Sequence, residues 1–107
     1  MVGDATYSDY GLRIIRGGGT SSALALTKVI HEVDSDAGGD IFTLADGTNG
    51  QTMTIVQQSS TGISTITPAT FTGGTNVTLD AAGDSVTLAF LTTRGWYVTG
   101  GNSYSII

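Results

Sequence analysis

Three aspartates stand close together in the glycine-containing segment "DSDAGGD", where they could bind a calcium ion. Asp34, Asp36 and Asp40 would supply carboxylate oxygens, and backbone carbonyls of such a turn would add further ligands. The segment lacks the third Asp or Asn before its glycine and the bidentate Glu at the twelfth position that an EF-hand loop requires. Acidic loop residues that keep the surface soluble are therefore the favoured interpretation, and calcium is the weaker alternative.

Residue types that could catalyse a reaction are few. The single histidine is His31, and its neighbour Glu32 would point to the opposite face of a strand. The chain has no cysteine to serve as a nucleophile, and no serine lies in a Gly-x-Ser-x-Gly motif. Glu32 and Asp34 would share a face and could imitate a glycosidase pair, but solvated acids on an edge strand explain them better. The sequence thus predicts a protein that is not an enzyme and uses no cofactor.

Two glycine-rich segments, "GGGT" at 17–20 and "GGT" at 73–75, raise the question of a bound phosphate. A phosphate-binding loop follows a strand and opens a helix, and neither segment does so. Glycine also permits tight reversals of the backbone. These segments are therefore predicted to turn corners.

Short strands are the elements that would position all of these residues. The chain of 107 residues contains 16 Gly and 18 Thr but one Pro, and threonine favours strands. No window shows the apolar period of a helix. Apolar and polar residues instead alternate in short segments separated by Gly, Asn and Asp turns. The predicted strands are "ALALTKVIHEV", "IFTL", "QTMTIVQ", "ISTITPATF", "TNVTLD", "SVTLAFL", "WYVT" and "SYSII". This pattern predicts an all-β fold, a single compact antiparallel β-sandwich or barrel-like domain.

One sequence device occurs twice. Thr43-Leu44 and Thr78-Leu79 each lead through a turn with Gly and Asp to a strand, "GQTMTI" in the first copy and "GDSVTL" in the second. Both copies follow the order Gly, polar, hydroxyl, apolar, Thr, apolar. This order predicts strands with an apolar inner face and an outer ladder of threonines. We interpret the two copies as internal pseudo-symmetry between two sheets or hairpins.

The first 22 residues differ from the rest, and we predict an extended N-terminal arm at 1–22 and a β domain at 23–107. The arm shows no sustained period and ends near three consecutive glycines. Fully extended, it would reach on the order of 70 Å, enough to lie across a neighbouring subunit. A frayed or edge-strand terminus is the alternative. Its candidate attachment residues are Tyr7, Tyr10, Leu12, Arg13, Ile14, Ile15 and Arg16.

Charge and hydropathy exclude several classes of partner. Residues 31–107 contain seven acidic residues and one arginine, so they lack the basic stripe that nucleic-acid binding needs. No apolar run approaches the ~20 residues of a membrane span, and no signal segment opens the chain. The absence of cysteine excludes disulfides and thiolate metal sites. We expect a protein made in the cytoplasm that contacts neither membrane nor nucleic acid.

An ordered series of elements resembles a small β domain of tailed-bacteriophage virion proteins, of the head-decoration, head-fibre and tail-fibre types. The elements are "IFTLADGTNGQTMTIV", "STITPATFTGGTNVTLDAAGDSVTLAF" and "RGWYVTGGN", and they extend over residues 41–102. Residues 1–30 match no part of that pattern. The resemblance implies a non-enzymatic, all-β particle component, with a homotrimer as its state of association.

Two functions follow from the resemblance and the arm. The first is a capsid decoration protein, of the cement or head-fibre kind, that binds the major capsid protein on the outer capsid surface after synthesis in the host bacterium. The alternative is a receptor- or glycan-binding knob of a phage fibre, in which Trp96, Tyr97 and Tyr104 stack on sugar rings near Asn102. A chain with only an arm and one domain favours the first.

The expected oligomer interface lies near the C-terminus. For Trp96 itself, packing in the core is the favoured interpretation, since large aromatics dominate both cores and interfaces. Two apolar residues at the chain end are expected to complete a paired strand or a subunit contact. The interface candidates are Trp96, Tyr97, Tyr104, Ile106 and Ile107.

Overall fold

The computed structural model describes residues 11–15, 21–36 and 38–107. Within these ranges the chain forms ten strands and no helix, which confirms the all-β prediction. The strands are β1 (Gly11–Ile15), β2 (Ser21–Ala23), β3 (Ile30–Asp34), β4 (Asp40–Leu44), β5 (Thr52–Gln57), β6 (Ser64–Pro68), β7 (Val77–Leu79), β8 (Ser85–Leu91), β9 (Gly95–Asn102) and β10 (Ser105–Ile106).

The strands are divided between two five-stranded sheets that pack on each other. Sheet 1 has the order β1-β3-β5-β8-β9, and sheet 2 has the order β10-β7-β6-β4-β2. From β1 to β6 the chain alternates between the sheets, so that each successive strand lies in the opposite sheet. The neighbours β1–β3 and β3–β5 in sheet 1, and β2–β4 and β4–β6 in sheet 2, are all parallel.

This winding corrects the antiparallel part of the fold prediction. Short strands punctuated by glycine usually turn back as hairpins in one sheet, but here each early corner carries the chain to the other sheet, about 10 Å away. A strand that returns after one crossing in each direction runs parallel to its predecessor, because the strand in the other sheet serves as the crossover connection. Antiparallel pairing is confined to the neighbours of β7 and β8.

The prediction of one long strand over "ALALTKVIHEV" is wrong. β2 ends at Ala23 in sheet 2, and β3 begins at Ile30 in sheet 1. Between them a turn is closed by a hydrogen bond from the N–H of Lys28 to the carbonyl of Ala25, 3.4 Å. This turn contains neither Gly nor Pro, so the sequence gives no local signal for it.

Parts of the predicted arm belong to the sheets. The backbone of Gly11–Ile15 forms the outermost strand of sheet 1, and Ser21–Ala23 forms the outermost strand of sheet 2. Residues 1–10 and 16–20 of the predicted arm lie outside the described residues.

The core lies between the two sheets and is formed by alternate residues of their strands. The burial pattern of β4 and β6 alternates strictly, as the period-two geometry of a strand requires. The buried apolar cluster contains Leu24, Val33, Phe42, Leu44, Met53, Ile55, Ile66, Val77, Leu79, Val86, Leu88, Phe90 and Trp96.

Candidate binding surfaces

The two copies of the repeated device form the same backbone corner at opposite ends of the β5–β8 pair. Gly50 and Gly83 both have positive φ, 87° and 88°, a conformation that glycine adopts without a Cβ penalty. The N–H of Gly50 donates to the carbonyl of Phe90 at 2.8 Å, and the N–H of Gly83 donates to the carbonyl of Gln57 at 2.9 Å. Both donors are thus used by the fold rather than by a bound phosphate. Gly50 and Gly83 therefore turn corners of the backbone.

A polar side chain next to each glycine holds the same turn. Oε1 of Gln51 accepts the N–H of Thr48 at 2.9 Å. In the other copy Oδ2 of Asp84 accepts the N–H of Ala81 at 3.0 Å and that of Asp80 at 3.2 Å. The hydrogen bond from Ala81 lowers the pKa of Asp84, although desolvation opposes it. Both side chains therefore stabilise turns.

His31 is buried between the sheets and has no exposed surface. Its Nε2 lies 3.0 Å from the carbonyl of Ala25 in the β2–β3 turn, while its Nδ1 is buried without a hydrogen-bond partner among the described residues. Burial lowers the pKa of His31, and the hydrogen bond to Ala25 only partly offsets this effect. The neutral imidazole is consequently the form that the fold favours.

The aspartates proposed for calcium make separate contacts. Oδ1 of Asp34 accepts a hydrogen bond from the hydroxyl of Ser59, and Oδ1 of Asp36 accepts the N–H of Gly38 at 3.0 Å. Asp40 is buried at the start of β4. In the part of the chain that the structure describes, no three His, Cys, Asp or Glu side chains form a group that could hold a metal ion.

A buried polar network ties the loop after β3 to the loop before β6. Nε2 of Gln57 donates to the carbonyl of Gly62 at 2.7 Å, and its Oε1 accepts the hydroxyl of Ser64 at 2.5 Å. The oxygens of Ser64 and Ser35 lie 2.7 Å apart. Gly62 lies so close to Asp36 that a Cβ added to the glycine would come within 1.5 Å of the Asp36 carbonyl oxygen. This end of the molecule is held by packing and hydrogen bonds.

The structure separates the aromatic residues near the C-terminus. Trp96 has no exposed surface, packs edge-on against Phe90 with ring centroids 5.4 Å apart, and donates its Nε1–H to the carbonyl of Ala45 at 2.8 Å. The core interpretation of Trp96 is confirmed, and its ring is available neither to a subunit nor to a sugar. Tyr97 is half-buried, and Tyr104 packs on the margin of the core.

The two terminal isoleucines complete a paired strand. Ile106 lies in β10 opposite Val77 of β7, and the N–H of Ile107 donates to the carbonyl of Asn76 at 2.9 Å. Both side chains remain exposed, by 42% and 67%. They close the edge of sheet 2 and also leave apolar surface there.

The candidate attachment residues fall into two groups. Leu12, Arg13, Ile14 and Ile15 lie on β1, which pairs with β3 over its full length. Tyr7, Tyr10 and Arg16 lie outside the described residues.

The outer surface of sheet 2 is uncharged along its strands. Strand register places its residues in rows, with Ile41 opposite Thr65, and Thr65 opposite Thr78. A second row places Thr43 opposite Thr67. We call this surface the sheet-2 face. Its residues are Ala23, Ile41, Thr43, Thr65, Thr67, Thr78 and Ser105, each half-buried or exposed. The outer side of β3 in sheet 1 carries Glu32 and Asp34 instead.

Two hollows lie on the sheet-2 face along the line between β4 and β6. The first, with a volume of about 330 Å³, is lined by Gly38, Gly39, Asp40, Ile41, Ile63 and Thr65. The second, with a volume of about 460 Å³, is lined by Thr43, Leu44, Ala45, Thr67, Pro68 and Ala69. Ile41 and Ile63, which are 45% and 51% exposed, are the large apolar residues of the first hollow. The face therefore has a bulky end and a small-residue end.

No protein-family model matches this chain, and no significantly similar protein was found among curated proteins. Among the described residues there is also no helix long and apolar enough to cross a membrane.

The sheet-2 face is the surface that sequence reasoning missed. Its threonines alternate with core residues, as Thr65 and Thr67 do around Ile66, so the sequence shows that they point outward. Their assembly into one surface depends on which strands are neighbours. The crossings between the sheets determine which strands are neighbours, and no local sequence motif indicates a crossing.

Proposed function

We propose that this protein is a structural component of a bacteriophage particle that binds the outside of the capsid and stabilises or decorates it. The resemblance of residues 41–102 to small β domains of such particles motivates the proposal. The major capsid protein is the partner, and the N-terminal segment is the attachment site. The chain acts as a homo-oligomer, for which the resemblance implies a trimer.

The position of β1 is the observation that supports an attachment role. β1 is the outermost strand of sheet 1, and within the described ranges it pairs only with β3. Its other side offers backbone N–H and C=O groups to a partner, and proteins commonly bind extended segments by adding a strand at such an edge. The edge of sheet 1 thus presents part of the attachment segment to another chain.

The distribution of charge also supports the N-terminal segment as the attachment site. In the N-terminal segment Arg13 and Arg16 balance Asp4 and Asp9, so the segment is neutral, whereas residues 31–107 contain seven acidic residues and Arg94. Because the remainder of the chain is acidic, these arginines are the natural partners for acidic groups on a capsid surface. The attachment segment therefore differs from the domain in electrostatic character as well as in position.

Co-sedimentation with undecorated capsids of the same virus tests this proposal. Arg13→Glu is compared with Arg94→Glu, an identical charge change at an exposed residue of the turn between β8 and β9. We expect Arg13→Glu to weaken capsid binding at least about tenfold and Arg94→Glu to change it less than about twofold. Equal binding by both variants would contradict attachment through this segment. A wild-type protein that does not sediment with capsids would contradict decoration itself.

A further inference from the structure

We propose that the sheet-2 face binds a second copy of this chain. The chain carries a net charge of −5, so two copies repel each other when acid-bearing surfaces approach. The sheet-2 face carries no charged residue, and Asp40, the one charged residue lining its first hollow, is buried. The strands of a second copy can therefore pack on this face without burying a charge, and the exposed Asp46, which follows Ala45, would lie at the rim of the interface. This inference does not depend on capsid binding.

The chemistry of the face also suits another copy of the same surface. Threonine methyl groups and the side chains of Ile41 and Ile63 give it apolar area, and threonine hydroxyls give donors and acceptors that can pair across an interface. Flat β faces pack about 10 Å apart when their side chains interdigitate. Two identical faces can therefore both pair their hydroxyl groups and interdigitate their side chains.

The two ends of the face are complementary to each other. The exposed side chains of Ile41 and Ile63 line the hollow at one end, and the smaller Ala45 and Ala69 line the hollow at the other. Along β4, Ile41 and Ala45 are about 13 Å apart. A two-fold axis that lies in the interface and crosses the strands would place Ile41 of each copy in the alanine-lined hollow of the other. An axis parallel to the strands would put isoleucine on isoleucine and leave the hollows empty, which costs packing contacts.

The proposed pair is therefore isologous, with the strands of the two copies antiparallel across the interface. The face measures on the order of 24 Å across five strands and 16 Å along them, about 400 Å² per copy. A standard interface buries about 800 Å² per partner, so the pair is expected to be weak in solution. Copies held side by side on a larger assembly would associate more strongly through multivalency. The pair differs from the trimer that the resemblance implies.

Sedimentation equilibrium of the full chain over a wide concentration range tests the pair. Ile41→Glu places a charge on the sheet-2 face, and Ile30→Glu is its matched control, since Ile30 is also 45% exposed but lies on sheet 1. We expect wild type and Ile30→Glu to form dimers, and Ile41→Glu to raise the dimer Kd at least about 100-fold. Thr43→Glu repeats the test in the middle of the face, in case Ile41→Glu impairs folding.

Mixing two variants tests the two-fold arrangement. Ala45→Lys alone should weaken the dimer by filling the hollow, whereas a mixture of Ala45→Lys and Ile41→Glu should form a heterodimer in which the new charges face each other. A wild-type chain that stays monomeric up to about 1 mM overturns the proposal. So does a dimer or trimer that Ile41→Glu and Ile30→Glu affect equally. Failure of the mixture to pair overturns the two-fold arrangement.

Discussion

Thr54 and Thr87 lie opposite each other on β5 and β8, and their hydroxyl oxygens are 3.1 Å apart. They mark the centre of a local two-fold relationship, because Gly50 closes one end of the strand pair and Gly83 closes the other. The two strands that resemble each other in sequence are thus antiparallel neighbours. The repeated device supplies both corners at which the chain passes from sheet 2 into sheet 1 around this pair.

Alanine at either corner glycine should destabilise the protein by a similar amount. A Cβ at Gly50 or Gly83 would meet no atom within 4 Å, so the cost comes from the positive φ alone. We expect Gly50→Ala and Gly83→Ala each to lower the free energy of unfolding by about 1 kcal/mol, measured by urea denaturation. The two changes lie at opposite ends of β5 and should add in the double variant.

Gly100→Ala is the control for this pair of variants. A Cβ at Gly100 would also meet open space, but the φ of Gly100 lies outside the positive region. Its replacement should therefore leave the free energy of unfolding nearly unchanged. An equal loss at all three glycines would mean that conformational strain at the corners is not the cause.

The sequence predicted strand positions better than strand partners. "SVTLAFL" coincides with β8, and "IFTL" lies within β4, because alternation of apolar and polar residues is a local property. The parallel pairing of β4 with β6 was not predictable, since it follows from corners that cross between sheets instead of forming hairpins. The sheet-2 face was not predictable for the same reason, because it depends on which strands are neighbours.

Side-chain roles that depend on the pattern within one strand were predictable, whereas contacts between residues far apart in the sequence were not. The outward threonine ladder of Thr54 and Thr87 follows directly from the pattern of each strand. The contact of Trp96 with Ala45 joins residues 51 positions apart, and only the fold reveals it. Likewise, the turn between β2 and β3 contains no Gly or Pro, so no local signal in the sequence marks it.

Gly62→Ala should be far more damaging than substitution at the corner glycines. The added Cβ would overlap the backbone carbonyl of Asp36, which cannot move without disturbing the loop after β3. We expect a loss at or above the upper end of the roughly 1–3 kcal/mol that overpacking costs. Chemical denaturation of Gly62→Ala beside Gly100→Ala measures the difference. A tolerated alanine at this position would show that the two loops are not in contact in solution.

Stability should fall as the pH is lowered past the ordinary pKa of histidine. Burial lowers the pKa of His31 below 6.5 in the folded state, so the unfolded chain binds more protons than the folded chain at pH values between the two pKa values. Its stabilising contribution is complete above pH 6.5 and decreases as the pH falls toward the folded pKa. Urea denaturation at several pH values from about 7 to 5 measures this slope, since carboxyl groups titrate mainly below that range.

His31→Gln is the matched variant for the pH experiment. Glutamine keeps a polar group that can donate to the carbonyl of Ala25 but does not titrate. The variant should lose the pH dependence between about 7 and 5 even if its stability at pH 7 differs from that of wild type. A slope that persists in His31→Gln would assign the titration to another group.

Trp96→Ala should destabilise the fold strongly, and Tyr97→Ala should not. Trp96 is fully buried, packs against Phe90 and donates a hydrogen bond to Ala45, so its removal leaves a large cavity between the sheets. We expect a loss of about 3–5 kcal/mol, measured by urea denaturation, and a clearly smaller loss for the half-buried Tyr97. Any loss of ligand binding in Trp96→Ala would therefore reflect the fold, whereas Tyr97→Ala and Tyr104→Ala test surface contacts directly. A stable, fully folded Trp96→Ala protein would contradict the position of this ring in the core and restore the indole as a candidate for stacking on sugars.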